Sequence, residues 1–589
     1  MADYFEDVPL VVTTASYERA QRKRYKRNVA ISIGLVALAI VVIILVVSLS
    51  SNGNANQIPQ VQKAVSLRLE ASGDDSSGNN TKIRKSPIVR VKQGRLQGAI
   101  LKSRKGRNYY SFFNIPYGKP PIKELRFENP EPAGRWKERI YDATKVKTWC
   151  VNGDKTKENA ITGSEDCLHV HVSTVKLPSR RNKTLVPVMV YIYGGAFKSG
   201  YASRFQPHYF MDEDIVVVLI EFRSGVFGHL NTGDGVIGGN LSLKDQSLAL
   251  KWVRDNIQAF GGNPNQVVLF GNSAGSISVH AHLLSEMSRG LFHGAISQSG
   301  VSLGPNMPDT FLNNPGSIAR RFANVVRPGI AWGLTGETVP TNEDRSKMFF
   351  KDKPINLMRN GDLTKVPWIV GVNSAEEFYD AYELVQNKTA VAILNQNWTT
   401  LILEDKLGLL PDDDLVDDEI RQLYFNDSDK ITREDRYGLT NLLSDRKYLH
   451  PCRTAGMLHS KHSPVYFYYF NKESNFSLHD DKKYDFPPPY GAGHGDDLQY
   501  LFNYDRYPEV TLTDERMEFS EDMIKIWVSF AYNLAPDPMG LEPWQPIQES
   551  QDGLIWYQMN DKPLRKNIEP FTARMKFWDR ITEQMNLYG

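Results

Sequence analysis

The chain has 589 residues, of which 41% are hydrophobic and 11% are aromatic, and its formal net charge is +2. This is an ordinary globular composition with enough apolar residues to bury a large core. The near-neutral charge, with no basic stripe outside one short run, excludes a strongly basic nucleic-acid-binding protein.

That basic run directly precedes an apolar stretch near the N-terminus. Five Lys or Arg residues lie between Arg22 and Arg27, and residues 29–47 are apolar or small. With residues 48–50 the stretch reaches about 20 residues, or about 30 Å as a helix, which matches a bilayer core. We predict one transmembrane helix over residues 29–50. A signal peptide is the first alternative, although its apolar region is normally about 7–15 residues long. A buried core helix is the second, although it would not carry this charge step.

The charge step also predicts the orientation of the chain. No Lys or Arg occurs from Asn28 to Pro59, so the positive-inside rule puts residues 1–28 in the cytosol and the rest outside. Residues 51–86 are polar and have little to bury, which predicts a flexible stalk. Residues 87–589 then form one folded ectodomain. We expect a single-pass type II membrane protein at the cell surface, because the chain does not end in an ER-retention signal.

Three cysteines on the outer side allow one disulfide and one remaining thiol. Cys150 and Cys167 would close a loop of about 17 residues, and Cys452 would stay buried. Three unpaired thiols remain an alternative, because pairing cannot be read from sequence alone. Asn240 matches a glycosylation sequon but begins a helix that is predicted to be packed, so we expect it to be unmodified. The sequons that fit a glycosylated ectodomain are Asn79, Asn182, Asn387, Asn397, Asn426 and Asn475.

Apolar runs and a helical pattern alternate in the middle of the predicted domain. A helix is predicted over residues 241–260, with apolar positions at helical spacing. The continuous apolar runs are short, and such runs are typical of strands that are buried on both faces of a parallel sheet. This order predicts an α/β fold with a mostly parallel central sheet and helices on both faces. The runs are residues 188–193, 215–222, 266–270, 294–297, 368–372 and 465–470.

A Gly-x-Ser-x-Gly motif follows the apolar run that begins at Gln266. Gly271 and Gly275 flank Ser273, and neighbours without Cβ atoms let a chain reverse sharply between a strand and a helix. We predict that Ser273 is a nucleophile and that residues 276–286 form a helix whose N-terminal dipole faces the developing negative charge. The motif alone is weak evidence in a chain with 43 glycines, and the predicted strand and helix around it strengthen it.

Candidate partners for Ser273 follow three other predicted strands. Sites in α/β folds gather beyond the carboxyl ends of strands. Glu376 follows residues 368–372, His494 lies among glycines after residues 465–470, and residues 194–197 after the first run offer free backbone N–H groups for an oxyanion. The chain order of serine, acid and histidine is the one expected of this fold.

Each of these assignments has a plainer alternative. Taken singly, His494 could be a loop histidine and Glu376 a surface carboxylate. If the motif is shifted by one residue, Glu377 would be the acid of the triad in place of Glu376. Asp496 and Asp497 are expected to be carboxylates at the start of a helix.

Several short motifs extend over most of the predicted domain. From about residue 88 to residue 589 the chain resembles type-B carboxylesterases, of the cholinesterase-like branch of the α/β-hydrolases. The motifs that carry the resemblance are residues 113–117 (FNIPY), 125–127 (LRF), 164–168 (SEDCL), 193–197 (YGGAF), 240–246 (NLSLKDQ), 260–264 (FGGNP) and 298–300 (QSG).

The resemblance implies an α/β-hydrolase fold and a role for each site residue. It implies that Ser273 is the nucleophile, that His494 is the general base and then acid, and that Glu376 orients the imidazole. The oxyanion hole would be the N–H groups of Gly195, Ala196 and Ala274. The resemblance also implies a disulfide between Cys150 and Cys167, ion pairs of Arg126 with Glu165 and of Arg223 with Asp245, and neither a cofactor nor a metal.

The chain departs from the family pattern at several points. Ala196 stands where the family has a third glycine, and Asn272 stands before the nucleophile, where Glu, Gln or His is common. Residues 300–371 look shorter than in the family, which affects the expected acyl-pocket wall. The loop over residues 151–166 contains no aromatic residue, whereas in cholinesterases this loop supplies a tryptophan for the quaternary ammonium.

These features predict a membrane-anchored serine carboxylesterase that hydrolyses neutral, small-molecule esters and is a poor choline esterase. The alternative is an adhesion or receptor protein with the same fold and little activity, since fold does not fix function. The sequence makes no prediction about a protein partner or a homodimer.

Overall fold

A computed structural model of the chain describes residues 84–153, 161–180, 183–305, 347–409, 414–474, 476–477, 491–537, 543–547, 549–550, 553–560, 563–568 and 571–588. Residues Ile83–Gly589 form one compact unit. The predicted cytosolic tail and membrane helix lie outside the described residues, as does the predicted stalk up to residue 83. The first strand begins at Lys85, two residues before the predicted start of the domain. Within the described ranges, none of the helices combines the length and the apolar character needed to cross a bilayer.

The strands are numbered in chain order. They are β1 Lys85–Val91, β2 Gly94–Lys102, β3 Asn108–Pro116, β4 Tyr141–Asp142, β5 Asn152–Gly153, β6 Ile161–Thr162, β7 His169–Thr174, β8 Val186–Ile192, β9 Phe205–Gln206, β10 Val216–Ile220, β11 Gly262–Asn272, β12 Gly294–Gln298, β13 Trp368–Asn373, β14 Val465–Phe470, β15 Asn503–Tyr504, β16 Glu549–Ser550, β17 Gly553–Met559 and β18 Pro563–Ile568.

The helices of the described residues are numbered in the same way. The α-helices are α1 Gly225–His229, α2 Leu241–Asn256, α3 Ala274–Leu283, α4 Pro354–Asn360, α5 Phe378–Val385, α6 Lys388–Gln396, α7 Asp414–Phe425, α8 Arg436–Ser444, α9 His450–Ser460, α10 Met517–Asn533 and α11 Thr572–Gln584. Short 3-10 helices cover Lys123–Leu125, Ala202–Arg204, Pro207–Asp212, Ile257–Phe260, Glu286–Ser288 and Asp496–Tyr500, and π-helices cover Thr399–Glu404 and Asp445–Leu449.

The main sheet has 14 strands and is mixed. Its order is β1-β2-β3-β7-β10-β8-β11-β12-β13-β14-β17-β16, with β4 on β2 and β18 on β17. The strands from β10 to β17 in this order pair in parallel. The strands on the β1 side pair antiparallel, from β1 through β3 and β7 to β10. At the other end of the sheet, β16 and β18 pair antiparallel with β17. The prediction of a mostly parallel sheet is therefore correct for the centre and wrong for both ends, where β1 to β3 form a meander and β17 pairs with its chain neighbours.

The predicted helices on both faces of the sheet are present. Successive side chains of a strand point to opposite faces. Phe467 of β14 packs against Gly456 of α9, and the next residue, Tyr468, packs edge-on against Trp527 of α10 with ring centroids 5.7 Å apart. Helices α9 and α10 therefore cover opposite faces.

The central strands explain the continuous apolar runs in the sequence. Every residue of β8, β10, β12 and β13 is buried, because helices or other strands cover both faces. Parallel pairing brings the carboxyl ends of β8, β11, β12, β13 and β14 to one edge of the sheet, which we call the catalytic edge. In register, Gly271 of β11 lies opposite Ile192 of β8, and Asn272 lies opposite Gln298 of β12.

Two predicted helices differ slightly from the observed ones. The helix predicted over residues 241–260 is α2, which ends at Asn256 and continues as a 3-10 helix to Phe260. The helix predicted over residues 276–286 begins two residues earlier, at Ala274, and ends at Leu283. The earlier start leaves Ser273 as the single residue between β11 and α3.

Candidate active site

Ser273 occupies a sharp turn at the catalytic edge. Its backbone angles are φ 59° and ψ −127°, a region that a residue with a Cβ atom rarely adopts and that costs about 1–3 kcal/mol unless its surroundings hold it. Its N–H donates to the carbonyl oxygen of Gln298 at 2.9 Å, and its own carbonyl accepts from the N–H of Ile277 at 2.9 Å. The end of β12 and the first turn of α3 therefore hold the strained serine in place.

The glycines around Ser273 allow its turn to lie against β8. A Cβ atom at Gly271 would lie 2.6 Å from the carbonyl oxygen of Ile192, and a Cβ atom at Gly194 would lie 2.8 Å from the Cβ of Ser273. Both distances are far below van der Waals contact. The glycines predicted from the motif are thus required by packing, because no side chain fits between the two segments.

His494 and Glu376 come together at the same edge from two different strands. Nδ1 of His494 lies 2.6 Å from Oε2 of Glu376. The other oxygen of this carboxylate, Oε1, accepts from the N–H of Asn373 at 2.7 Å. The side chain of Glu376 is 1% exposed and that of His494 is 22% exposed. A carboxylate bound this way only accepts, so Nδ1 of His494 carries the hydrogen.

The same bond sets the pKa of His494. Burial alone would lower this pKa, but the charge of Glu376 and its hydrogen bond to the ring outweigh burial, and the pKa lies above its ordinary value. The ring of Tyr448 packs against the imidazole with centroids 5.0 Å apart. The histidine is therefore held by a carboxylate at one nitrogen and by an aromatic ring against its face.

The alternative acid, Glu377, has a different partner. Its Oε2 accepts from Nζ of Lys447 at 2.7 Å, and Lys447 also lies 3.5 Å from Asp380. Burial raises the pKa of Glu377, and the Lys447 charge opposes this. No hydrogen bond joins Glu377 to His494 among the described residues, so the geometry favours Glu376 as the partner of the histidine.

The loop that follows β8 has a backbone suited to binding an anion. Gly195, Ala196 and Phe197 have φ values of 136°, 53° and 57°. The carbonyl of Gly195 points back into the loop, where it accepts from the N–H of Lys198 at 3.0 Å. In the described part of the chain, the N–H groups of Gly195 and Ala196 donate to no protein acceptor. Ala274 begins α3, so its N–H has no intrahelical partner either. These are the three groups that the resemblance implied.

The glycine loop around His494 is tied to the end of β13. The amide of Asn373 donates to the carbonyl of Gly493 at 2.7 Å, and the N–H of Ala492 donates to Oγ of Ser374 at 2.8 Å. The N–H of Ala375 donates to the carbonyl of Ala492 at 2.8 Å. This pairing brings the histidine to its carboxylate, although the two are far apart in the chain.

Asp496 and Asp497 begin a 3-10 helix, as the sequence predicted. Asp496 accepts from the N–H of Gly493 at 2.8 Å. Asp497 is fully buried and accepts from Nε2 of Gln298 at 2.5 Å. Burial raises the pKa of Asp497 to about 6, and the bond from Gln298 opposes this rise. Sequence reasoning missed the contact with Gln298, and no local signal marks it, because the two residues are 199 positions apart.

The disulfide and the ion pairs that the resemblance implied are present. Cys150 and Cys167 form a disulfide, and Cys452 is a free, buried thiol whose pKa is raised by burial. Arg126 forms two hydrogen bonds to Glu165, at 2.5 and 2.9 Å. Arg223 and Asp245 form a buried pair at 2.7 and 2.8 Å.

Half of the predicted glycosylation sites can be located on the domain. Asn387, Asn397 and Asn426 are exposed, whereas Asn79, Asn182 and Asn475 lie outside the described residues. The side chain of Asn387 caps α6 by accepting from two backbone N–H groups. Asn240 is fully buried, so a glycan has no room there. Residues 306–346, which include much of the segment that looked shorter than in the family, also lie outside the described residues.

Comparison with known proteins identifies the family. The model of the Carboxylesterase family matches residues 85–329 and 334–578. Venom carboxylesterase-6 of Apis mellifera is 33% identical over 537 residues, which cover 84% of this chain and 94% of the bee protein. Pyrethroid hydrolase Ces2e of Rattus norvegicus is 31% identical over 566 residues, which cover 88% and 92% of the two chains.

A solved structure extends the comparison to the fold. The crystal structure of juvenile hormone esterase from Manduca sexta, with OTFP covalently attached, superposes with a TM-score of 0.71 at 24% identity and covers 84% of this chain and 99% of that chain. The shared fold is the α/β-hydrolase fold. The chain belongs to the carboxylesterase family, and its relatives support the class of carboxylic ester hydrolase.

Proposed function

We propose that this protein is a membrane-anchored serine carboxylesterase that hydrolyses neutral esters through Ser273, His494 and Glu376. The observation that carries the proposal is the 2.6 Å hydrogen bond between His494 and Glu376, at the edge where Ser273 forms a strained turn between strand and helix. Structural ion pairs are common, but a histidine, a carboxylate and a strained serine that follow three parallel strands of one sheet support a site for nucleophilic catalysis.

In the proposed acylation step, Ser273 attacks the carbonyl carbon of the ester. Because Nδ1 of His494 donates to Glu376, Nε2 carries the lone pair that takes the proton from Oγ of Ser273. The N–H groups of Gly195, Ala196 and Ala274 bind the negative oxygen of the tetrahedral intermediate. The imidazolium then gives its proton to the leaving alcohol, and the acyl group remains on Ser273.

Deacylation repeats these roles with water. His494 removes a proton from the attacking water, the oxyanion forms again, and the carboxylic acid leaves as Oγ of Ser273 regains its proton. Glu376 accepts from Nδ1 of His494 and stabilises the imidazolium in both steps. Removing one oxyanion donor in such a site costs about 10²- to 10³-fold in kcat, so the positions of the loop after β8 and of α3 matter as much as the triad.

The preference for neutral esters follows from the side chains near the nucleophile. Asn272 brings no negative charge, and residues 151–166 bring no aromatic face for a quaternary ammonium. Tyr193 and Phe197 are the aromatic residues that could replace it, but both are packed. Tyr193 stacks on Phe222 with ring centroids 4.4 Å apart. The rings of Phe197 and His229 pack edge-to-face with centroids 4.9 Å apart.

Trp149, directly before the disulfide loop, is an aromatic candidate that sequence reasoning missed. It stacks on Tyr201 with centroids 4.8 Å apart, and its ring nitrogen donates to Thr162 at 3.3 Å. Both contacts hold the ring against the protein, which supports a structural role.

The membrane anchor over residues 29–50 and the cell-surface location are part of the proposal. The basic run before residue 29 supports them, and the three exposed sequons suit a glycosylated ectodomain. Protease treatment of intact cells tests the topology. We expect a tag at Met1 to be protected and a tag after Gly589 to be digested, and the reverse pattern would overturn the orientation.

The catalytic proposal is tested with full-length protein purified in detergent. Hydrolysis of a panel of neutral naphthyl esters is measured for the wild type, Ser273→Ala and Ser276→Ala. Ser276 is a matched control, because its hydroxyl is buried three residues away and donates to the carbonyl of Gly300. We expect turnover in the wild type and the control, and loss of turnover in Ser273→Ala. A folded wild type without turnover would favour the adhesion alternative.

A further inference from the structure

Glu221 is a buried carboxyl group directly after β10. Its side chain is fully buried, and it interrupts an otherwise apolar run in the sequence. An isolated carboxylate in such a position is costly unless donors surround it. In the described part of the chain, no lysine or arginine forms an ion pair with Glu221. The basic side chain that lies within 4 Å is His171 of β7, whose Nε2 is 3.9 Å from Oε1. The group therefore needs an explanation beyond charge pairing.

Backbone and hydroxyl donors from three segments surround this carboxyl group. Oε1 accepts from the N–H of Ala202 at 2.8 Å, and Oε2 lies 3.4 Å from the hydroxyl of Tyr193. The N–H groups of Ser203 and Cys150 also face the carboxyl group. One side chain thus contacts the end of β8, the segment at residues 202–203 and the start of the disulfide loop.

Two of these contacts lie at the two ends of the oxyanion loop, residues 194–201. Tyr193 directly precedes Gly194, and Ala202 directly follows the loop. Within the loop, the N–H of Ser199 donates to the carbonyl of Gly195 at 3.1 Å. From the disulfide side, the amide of Asn152 donates to the carbonyl of Gly200 at 2.9 Å. Glu221 therefore contacts the residues directly before and after the loop, so a shift of its carboxyl group would be expected to displace the N–H groups of Gly195 and Ala196.

We propose that Glu221 is a positioning residue for the oxyanion hole and that gain or loss of its proton changes turnover. The inference rests on the proposed serine esterase function and adds a control to the same site. Glu221 acts through the loop and does not touch the ester.

The hydrogen bonds of Tyr193 allow two arrangements. Its hydroxyl lies 3.4 Å from Oε2 of Glu221 and 3.5 Å from the carbonyl oxygen of Phe222. When Glu221 is neutral, its O–H donates to the Tyr193 oxygen and the tyrosine donates to Phe222. When Glu221 is ionised, the tyrosine donates to the carboxylate, and Phe222 loses its donor. The ionised form also puts a buried negative charge beside Tyr193, which is two residues from Gly195, and this charge opposes formation of an oxyanion at the loop.

The pKa of Glu221 lies well above the ordinary value of a glutamate. Burial raises its pKa to about 8, and the N–H groups of Ala202 and Cys150 oppose this rise. His171 is neutral in this range, because burial lowers its pKa to about 3. Arg223 and Asp245 pair with each other. Three phenols also interact with the carboxyl group, and burial raises their pKa values: Tyr117, Tyr193 and Tyr201.

The test is the pH profile of kcat for full-length protein on a neutral naphthyl ester from pH 6 to pH 10. Active serines are counted at each pH by fluorophosphonate titration, so that kcat refers to reactive enzyme. We expect a rise through the pKa of His494 and a fall near pH 8. Glu221→Gln keeps an oxygen acceptor without a charge, so the fall near pH 8 should disappear. Glu221→Ala should lower kcat about tenfold or more at every pH, with little change in KM, because the residues on both sides of the loop lose their contacts with the carboxyl group.

A second variant keeps the inference falsifiable if Glu221→Gln does not fold. Tyr193→Phe removes the hydroxyl from both arrangements, and because a hydrogen bond to an ionised carboxylate is stronger than one to the neutral acid, the fall in kcat should move to higher pH. A fall near pH 8 that persists in Glu221→Gln, or that does not move in Tyr193→Phe, would overturn the inference. A wild type that takes up no probe would instead overturn the proposed function, and this inference with it.

Discussion

The backbone at Gly275 packs directly against the carbonyl oxygen of Ile192. A Cβ atom added at Gly275 would lie 1.9 Å from that oxygen, much closer than any real contact. The oxygen belongs to β8 and the glycine to the first turn of α3, so this contact fixes the distance between the strand that leads to the oxyanion loop and the helix that follows Ser273. The position of Ser273 relative to the N–H groups of Gly195 and Ala196 therefore depends on the absence of a Cβ atom at Gly275.

We predict that Gly275→Ala lowers the free energy of unfolding by about 3 kcal/mol or more, because backbone atoms on both sides must move. Gly134→Ala is the matched control, since a Cβ atom there meets no atom within 4 Å. Denaturant unfolding of both variants measures the difference. Equal stability of the two would show that β8 and α3 are not as close as described.

The second prediction separates the two adjacent glutamates. Glu376→Gln should lower kcat by about 10³- to 10⁴-fold, because the amide no longer holds the imidazole in the correct tautomer or stabilises its charge. Glu377→Gln should remove the closer of the two carboxylates that Lys447 contacts and leave Asp380 as its charge partner, at a cost of about 2 kcal/mol in stability, but should lower kcat less than about tenfold. Kinetics and unfolding of both variants check this. A larger loss of kcat in the Glu377 variant would exchange the two roles.

The parts of the fold with a strong local pattern could be predicted from sequence. The apolar runs that became β8, β12, β13 and β14 are long and continuous, because helices bury both faces of these strands. The antiparallel strands β1 to β3 were not predicted, since their exposed and buried residues alternate less regularly and their pairing depends on neighbours in the sheet.

In the site, too, residues marked by a local sequence pattern could be predicted, and contacts that depend on the folded sheet could not. Ser273 was found from its flanking glycines, and Glu376 and His494 from their places after two predicted strands. Glu221 was overlooked inside an apolar run, although a single charge in a buried strand was the available signal. The contact of Gln298 with Asp497 could not be predicted, because it joins segments that only the folded sheet brings together.

The third prediction concerns acid stability and the buried His282. Its ring nitrogens lie 2.7 Å from Ser288 and 2.9 Å from Gln246, and burial lowers its pKa to about 3. The folded-state pKa is depressed below the unfolded value of about 6.5. The neutral ring therefore contributes stability that is fully present above pH 6.5 and is lost as the pH falls toward 3.

Comparison with His282→Gln isolates this contribution. At pH 7 the variant should be less stable than the wild type, because it cannot reproduce both hydrogen bonds. Between pH 7 and pH 5 the difference in unfolding free energy should shrink by about 2 kcal/mol, since the variant has no proton to gain at this position. Denaturant unfolding at a series of pH values measures the difference. A difference independent of pH would contradict the buried neutral histidine.

The fourth prediction is that the enzyme is a poor choline esterase. Loss of a desolvated cation–π contact costs about 2 kcal/mol, or about thirtyfold in binding, and Asn272 provides no compensating charge. We expect kcat/KM to be lower for acetylthiocholine than for a neutral thioester with the same acyl group. Asn272→Glu, which restores an acidic neighbour, should narrow this ratio. A wild-type preference for acetylthiocholine would contradict the account of specificity.

The most direct measurement of the central claim is the site of covalent labelling by a fluorophosphonate probe. Full-length protein in detergent is labelled, digested and analysed by mass spectrometry. An activated serine reacts because a base within hydrogen-bond reach removes its proton, so the account predicts one adduct, on Ser273, that is absent from Ser273→Ala and strongly reduced in Glu376→Gln. Labelling that survives in Ser273→Ala, or folded wild-type protein that carries no adduct, would contradict it.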